Sequence, residues 1–191
     1  MTSRASLLDA ADRVVQREGP AASMASIAAE AGITKPILYR QFGDKDGLYA
    51  ALAERHTSAL LDTLRAALAS GRNPRDRVAR TVDAYLAVIE ADPQVYRFLM
   101  HATEAASAQV QVRSFLRSLA ESLAEGIATE LGPGVGAVRS HAWAHGLVGM
   151  VQAAGEWWLR ERPCPREHLV AELVELAFGG YAAAPRGASA G

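Results

Sequence analysis

Apolar positions along this chain recur every three or four residues from one end to the other, and no run alternates apolar with polar in the manner of a strand. Leu7, Ala10, Ala11, Val14 and Val15 predict a first helix over residues 3–18, closed by Gly19-Pro20. Ser23 stands ahead of Met24, Ile27, Ala28 and Ala31, so its hydroxyl can cap a short second helix that stops at Gly32. Thr34 is placed to cap a third helix, in which Leu38 and Phe42 are spaced i, i+4. Pro36 falls in the first turn of that helix, where an amide hydrogen has no intrahelical partner and the fixed φ of proline suits the backbone. Gly43 breaks the run and Asp44 can cap a long fourth helix over residues 45–70, carrying Leu48, Leu52, Ala59, Leu60, Leu64 and Leu68. Further helical patterns occupy residues 75–90, 93–106, 109–131, 137–160 and 166–181, with turn signals at 71–74, at 132–134 and at Pro163-Cys164-Pro165. The prediction is an all-α chain of about nine helices, followed by an Ala-, Gly- and Ser-rich tail over residues 183–191 that is expected to be disordered.

Composition adds limits. The 191 residues are 50% hydrophobic, enough for a sizeable core. The single cysteine, Cys164, can form no internal disulfide, and no secretory pattern opens the chain, so the cytoplasm is the expected compartment. The most apolar long stretch, residues 142–159, contains His145, Gln152 and Glu156 and reads as a buried helix rather than a membrane span. A net charge of -1 gives no global attraction for nucleic acid, and residues 1–55 hold seven basic against seven acidic side chains. Any DNA-binding role must therefore come from local geometry.

That geometry is offered by the two short helices joined at Gly32, a helix-turn-helix pattern. Leu38 and Phe42 define the inner face of the second, with Ile33 and Ile37 beside them, while Lys35, Pro36, Tyr39 and Arg40 point largely the other way. The positive end of the helix dipole at Thr34 favours phosphate. The stretch "SIAAEAGITKPILYRQFGDKDGLYAAL", with its alanine-rich second helix, Gly-apolar-Thr turn, Leu38-Tyr39 pair, Phe42, and Lys45 ahead of Leu48, resembles the amino-terminal DNA-binding region of the TetR family of transcriptional repressors. The resemblance implies a head over residues 1–52, a helical effector-binding and dimerisation domain over residues 53–182, and the tail beyond. Residue by residue it implies a DNA face of Thr34, Lys35, Pro36, Tyr39, Arg40 and Gln41, with Lys45 and Ser23 on phosphates. Pro36, Ala25, Ser26 and Gly47 depart from residues common at those places in the family.

Two features of the larger domain carry expectations. The small residues Gly146, Gly149, Ala153 and Gly155, with Leu169, Leu173, Leu176 and Ala177 of the last helix, suit an antiparallel four-helix interface between two copies. A two-fold dimer then calls for a near-palindromic double-stranded operator. The resemblance places an effector pocket among Tyr85, Ile89, Phe98, Leu99, Phe115, Leu119, Leu123, Trp143, Leu147 and Met150, a lining that favours an apolar or amphipathic small molecule such as an acyl chain. No cofactor, metal, membrane partner or catalytic set is expected. His141 and His145 share a helix face without a third ligand, Asp9 and Asp12 fit a solvated helix face better than a catalytic pair, and Cys164 has no basic neighbour to activate it. The alternative is a helical enzyme or small-molecule carrier whose helix-turn-helix is structural.

Overall fold

The computed structural model describes residues 3–101, 106–132 and 136–180; the tail expected to be disordered lies outside them. Among the described residues there are nine α-helices and no strand: α1 (Arg4–Glu18), α2 (Met24–Glu30), α3 (Lys35–Phe42), α4 (Lys45–Ser70), α5 (Pro74–Ala91), α6 (Pro93–His101), α7 (Ala106–Leu131), α8 (Ala137–Glu161) and α9 (Arg166–Gly179).

Local chemistry sets most of the boundaries. Ser3 caps α1, Asp44 caps α4 and Asn73 caps α5, each side chain accepting from a backbone N–H three residues on. Ser23 caps α2 through a reciprocal box: its hydroxyl accepts from the Ser26 N–H at 3.1 Å, and its own N–H donates to the Ser26 hydroxyl at 3.0 Å. Thr34 occupies the N-cap position of α3 but its side chain makes no capping bond. The reason is Pro36, which removes one available donor, while the next, the Ile37 N–H, is taken by the carbonyl of Thr34 itself at 3.0 Å. Gly32 ends the α2 turn at φ 64, where a Cβ would be strained, and this sharp reversal sets α3 across α2.

The first core gathers Leu7, Val14 and Val15 of α1, Met24 and Ile27 of α2, Leu38 and Phe42 of α3, and Leu48, Tyr49 and Leu52 of α4. It extends beyond the expected head: Val95 and Phe98 of α6 and Ala108 of α7 belong to the same cluster. The Phe98 ring meets Tyr49 edge-on, centroids 4.7 Å apart, and the Tyr49 hydroxyl donates to the Ala22 carbonyl. A second core joins Val82, Leu86 and Ile89 of α5 to Trp158 and Leu159 of α8 and Leu169 and Leu173 of α9. The long α4 packs along α5 and α7, and α7 in turn packs on α8.

Several positions differ from the sequence expectation. Phe98 serves the first core and Ile89 the second, so neither lines a cavity. Gly155 faces α5 of its own chain: a Cβ there would lie 3.0 Å from Ile89 Cδ1 and 3.1 Å from Tyr85 Cε1. Its small size lets α8 approach α5, not a second copy. Leu169 and Leu173 are likewise buried within the chain. Asp9 and Asp12 do more than face solvent, because Arg55 of α4 reaches both, at 2.7 and 3.1 Å, and His56 Nε2 lies 2.7 Å from Asp12.

Candidate functional site

Helix α3 is fixed by one face and open on the other. Leu38 is fully buried and Phe42 nearly so, whereas Thr34, Lys35, Pro36, Tyr39, Arg40 and Gln41 are exposed. The Tyr39 ring is 42% exposed on this well-anchored helix. The cations of the head divide sharply. Arg13 and Arg17 pair with Glu30, Arg55 pairs with Asp9 and Asp12, Arg4 lies 5.0 Å from the Phe42 ring centroid and Lys45 Nζ 5.3 Å from that of Tyr49. The hydrogen bond from Arg13 holds the Glu30 carboxyl below the usual carboxylate range, which keeps that cluster neutralised. Lys35 and Arg40 alone of these have no ion pair or ring contact with a described residue. Thus, in a head with no net charge, the two cations with neither kind of contact sit together on the outer side of α3. The Ser23 hydroxyl, by contrast, is committed to Ser26 and only half exposed.

Behind the head lies a cavity of about 180 Å³ between α4, α5, α6, α7 and α8. Of the ten expected lining residues, Tyr85, Leu99, Phe115, Leu119, Leu123, Leu147 and Met150 take part. Trp143 does not: it is 51% exposed, with the Arg139 guanidinium 6.0 Å from its ring centroid. At that level α8 turns the small Ser140 and Ala144 inward, and position 143 falls off that buried stripe. Sequence reasoning missed the contribution of α4, whose Leu60, Leu61, Leu64 and Leu68 form a wall, and that of Tyr96, Met100 and Val151. The stripe on α4 was visible as periodicity, but periodicity does not say that its middle faces a void. Since one water needs roughly 10–15 Å³, the space takes on the order of a dozen water-sized groups. Arg65 and Ser122, both exposed, stand at its rim.

Head and cavity are joined twice. Helix α4 runs from Lys45 beneath α3 to the cavity wall. The Asp46 carboxylate also accepts from the Ser107 N–H at 3.1 Å and from the Ser107 hydroxyl, tying the start of α4 to the first turn of α7.

On the opposite side of α8 from its buried stripe, Val138, Ala142, Gly146, Gly149, Ala153 and Trp157 are all exposed. A Cβ added at Gly146 or Gly149 would meet nothing within 4 Å. Leu176 and Ala177 of α9 are half buried, and Phe178 is 47% exposed. His141 is engaged within the chain: Nδ1 lies 2.9 Å from the Ala137 carbonyl and Nε2 3.0 Å from Glu121 of α7. Both nitrogens face acceptors, the backbone carbonyl first, which favours the imidazolium and raises the pKa. Among the described residues no three potential ligands gather around a metal position, and no helix is long and apolar enough to cross a membrane.

Fold and exposed face together define a helix-turn-helix DNA-binding regulator with a helical domain behind the head. The family model described as bacterial regulatory proteins, tetR family, matches residues 7–52, and that of the tetracyclin repressor-like C-terminal domain matches residues 63–190. The chain belongs to the TetR family of transcriptional regulators. It is 33% identical to the HTH-type transcriptional activator FasR of Mycolicibacterium smegmatis, over 95% of this chain and 84% of that one. It is 31% identical to an uncharacterized HTH-type transcriptional regulator of Mycobacterium tuberculosis, Rv0472c, over 92% and 75%. Among solved structures, a TetR-like regulator from Rhodococcus sp. RHA1 superposes with a TM-score of 0.70 at 27% identity, covering 92% of this chain and 93% of that one. FadR of Bacillus subtilis, in complex with stearoyl-CoA, superposes with a TM-score of 0.71 at 15% identity, covering 93% and 99%. These relatives are transcriptional regulators, not enzymes.

Proposed function

We propose that this chain acts in the cytoplasm as a two-fold dimer that places α3 of each copy in successive major grooves of a near-palindromic operator, and that an apolar ligand in the cavity changes this binding. The observation that carries the DNA reading is the pair of cations without an ion pair or ring contact among the described residues, Lys35 and Arg40, beside exposed Tyr39 on a helix whose other face is locked in the core. Tyr39 can offer its ring to a thymine methyl and its hydroxyl to the backbone, Arg40 and Lys35 can reach phosphate or guanine, and Thr34 keeps a hydroxyl not used for capping. Pro36 contributes an apolar contact only. Tyr39→Ala is expected to weaken operator binding about tenfold or more without lowering the melting temperature. Lys45→Ala should weaken all DNA sequences alike and reduce the salt slope by about one unit. Fluorescence anisotropy at several salt concentrations checks both; wild-type affinity in the two variants at matched salt would refute the assignment.

The outer faces of α8 and α9, with Gly146, Gly149, Ala153, Leu176 and Ala177, supply the dimer contact in this reading, joined by exposed Trp143 and Trp157. Whether the protein represses or activates depends on where its operator lies relative to the promoter. The resemblance carries the expectation of a repressor, while one of the relatives is named an activator.

The cavity wall of Leu, Val, Phe and Met side chains rewards burial of CH₂ groups by about 0.8 kcal/mol each. An acyl chain suits it, and the stearoyl-CoA held by a regulator of the same fold supports that reading. To change DNA binding the ligand must prefer one spacing of the two heads, since equal affinity for both states shifts nothing. Recognition helices of a bound dimer must sit about 34 Å apart, and α4 with the Asp46–Ser107 contact carries any shift of the cavity wall to α3. Leu147→Trp is expected to raise the acyl concentration needed for half-maximal effect about tenfold while leaving ligand-free operator affinity unchanged. A titration of operator binding with acyl compounds and polar metabolites tests this; a response to polar metabolites alone, indifferent to the added bulk, would refute it.

A further inference from the structure

The cavity is walled mainly by leucine, valine, phenylalanine and methionine, and most of its few polar side chains are committed. Thr57 donates to the Ala53 carbonyl at 2.7 Å and Thr81 to the Arg77 carbonyl at 2.8 Å. The hydroxyls of Tyr85 and Tyr96 lie against each other, and that of Tyr96 is buried. Ser122 and Arg65 are exposed at the rim, and Arg65 has the Asp62 carboxylate 3.7 Å away. Gln152 of α8 is the exception. It is half buried, and its Nε2 donates to Met100 Sδ, 3.9 Å away. Both residues belong to the lining, so the amide stands at the cavity wall. A glutamine amide has two N–H groups and two acceptor lone pairs, whereas a thioether is a weak acceptor. Here one N–H is spent on that sulfur, and Oε1 accepts from no described residue. No atom of Gln152 is among the buried side-chain atoms without a partner, so the open Oε1 keeps accessible surface.

Resting on the effector reading above, we propose that Gln152 selects the polar group of the ligand. A primary amide or a lactam, which presents a donor and an acceptor side by side, seats on it while the apolar remainder lies along Leu64, Leu119 and Leu123. A plain hydrocarbon would strip water from the Gln152 amide and give no bond in return. A ketone or ester supplies an acceptor alone, which satisfies the N–H and leaves Oε1 unmatched. A carboxylate also supplies acceptors alone, and it must shed the water around a full charge to enter a wall of this composition. An undissociated carboxylic acid has the same pair of groups as an amide, but at pH 7 only roughly one molecule in several hundred is in that form. The amide carries both groups without charge throughout the physiological range.

The test is displacement of the neutral fluorescent dye N-phenyl-1-naphthylamine from the full-length protein by decanamide, 2-undecanone and decanoate, molecules of equal heavy-atom count. In the wild type decanamide is expected to displace the dye at about one fifth the concentration of 2-undecanone, the worth of one further hydrogen bond, with decanoate last. Gln152→Leu should bring decanamide level with 2-undecanone. Gln152→Met, which keeps the length of the side chain, should do the same. Neither variant should lose melting temperature, because the bond to Met100 is weak. Equal displacement by amide and ketone in the wild type, an amide advantage that survives in either variant, or a preference for decanoate overturns the proposal while leaving the cavity reading intact. Failure of the dye and of all three compounds to bind would overturn the effector reading itself, and this proposal with it.

Discussion

Gly47→Ala is expected to destabilise the protein by about 2 kcal/mol or more and to weaken operator binding at least about tenfold. Gly47 lies in the first turn of α4, where its N–H donates to the Asp44 cap at 2.7 Å. A Cβ there would overlap the carbonyl oxygen of Phe42 and stand 3.3 Å from its carbonyl carbon. Backbone cannot swing aside as a flexible side chain can. Overpacking typically costs about 1–3 kcal/mol, and more against a rigid neighbour, whereas the helix propensity gained by replacing glycine is at most about 1 kcal/mol. The clash wins, and relief requires the end of α3 to move away from α4, which turns the recognition face. Gly126→Ala is the control: it lies within α7 with nothing within 4 Å of an added Cβ, so it should stabilise by about 0.5–1 kcal/mol. Thermal melts and operator titrations of both variants decide the matter, and a Gly47→Ala protein with wild-type melting and wild-type affinity would show that the α3–α4 junction tolerates the methyl group.

Two neighbouring tryptophans on α8 should respond to alanine in opposite ways. Trp158 is 1% exposed, stacks against the Arg162 guanidinium 4.4 Å from its centroid, and donates from Nε1 to the Cys164 carbonyl at 2.8 Å. Trp158→Ala removes a large side chain from the second core and orphans that carbonyl, at a cost of about 3–5 kcal/mol. Trp157 is 44% exposed on the outer face with Gly149 and Ala153. Trp157→Ala should leave monomer folding within about 0.5 kcal/mol but shift the monomer–dimer equilibrium toward monomer by about tenfold or more, because aromatic anchors dominate interfaces of this kind. Sedimentation at several concentrations together with melting separates the two effects. A Trp157→Ala protein that dimerises like the wild type would remove the outer face of α8 from the interface.

The head was legible because its signals are local. Caps, the Gly32 turn and the i, i+4 spacing of Leu38 and Phe42 act within a few residues, so the outward face of α3 followed from the chain alone. Thr34 shows the limit: a good capping residue goes unused once Pro36 removes one donor and the backbone takes the other. Asp46 carried no signal as a link, because its partner Ser107 is 61 residues away.

Periodicity of apolar and polar positions, turn residues and one specific motif determined the helix count among the described residues, most helix bounds to within a few residues, the class of protein and the outward face of α3. What each apolar stripe packs against was decided only in three dimensions. Phe98 and Ile89 have the same pattern as Leu99 and Tyr85, yet the first two fill cores and the last two line the cavity. Gly155 and Gly149 share one helix, yet one meets α5 of its own chain and the other faces open space. Burial is a demand that an amphipathic helix makes of any apolar surface, without direction or partner. Which surface answers it depends on crossing angles and on the volumes of side chains distant in sequence.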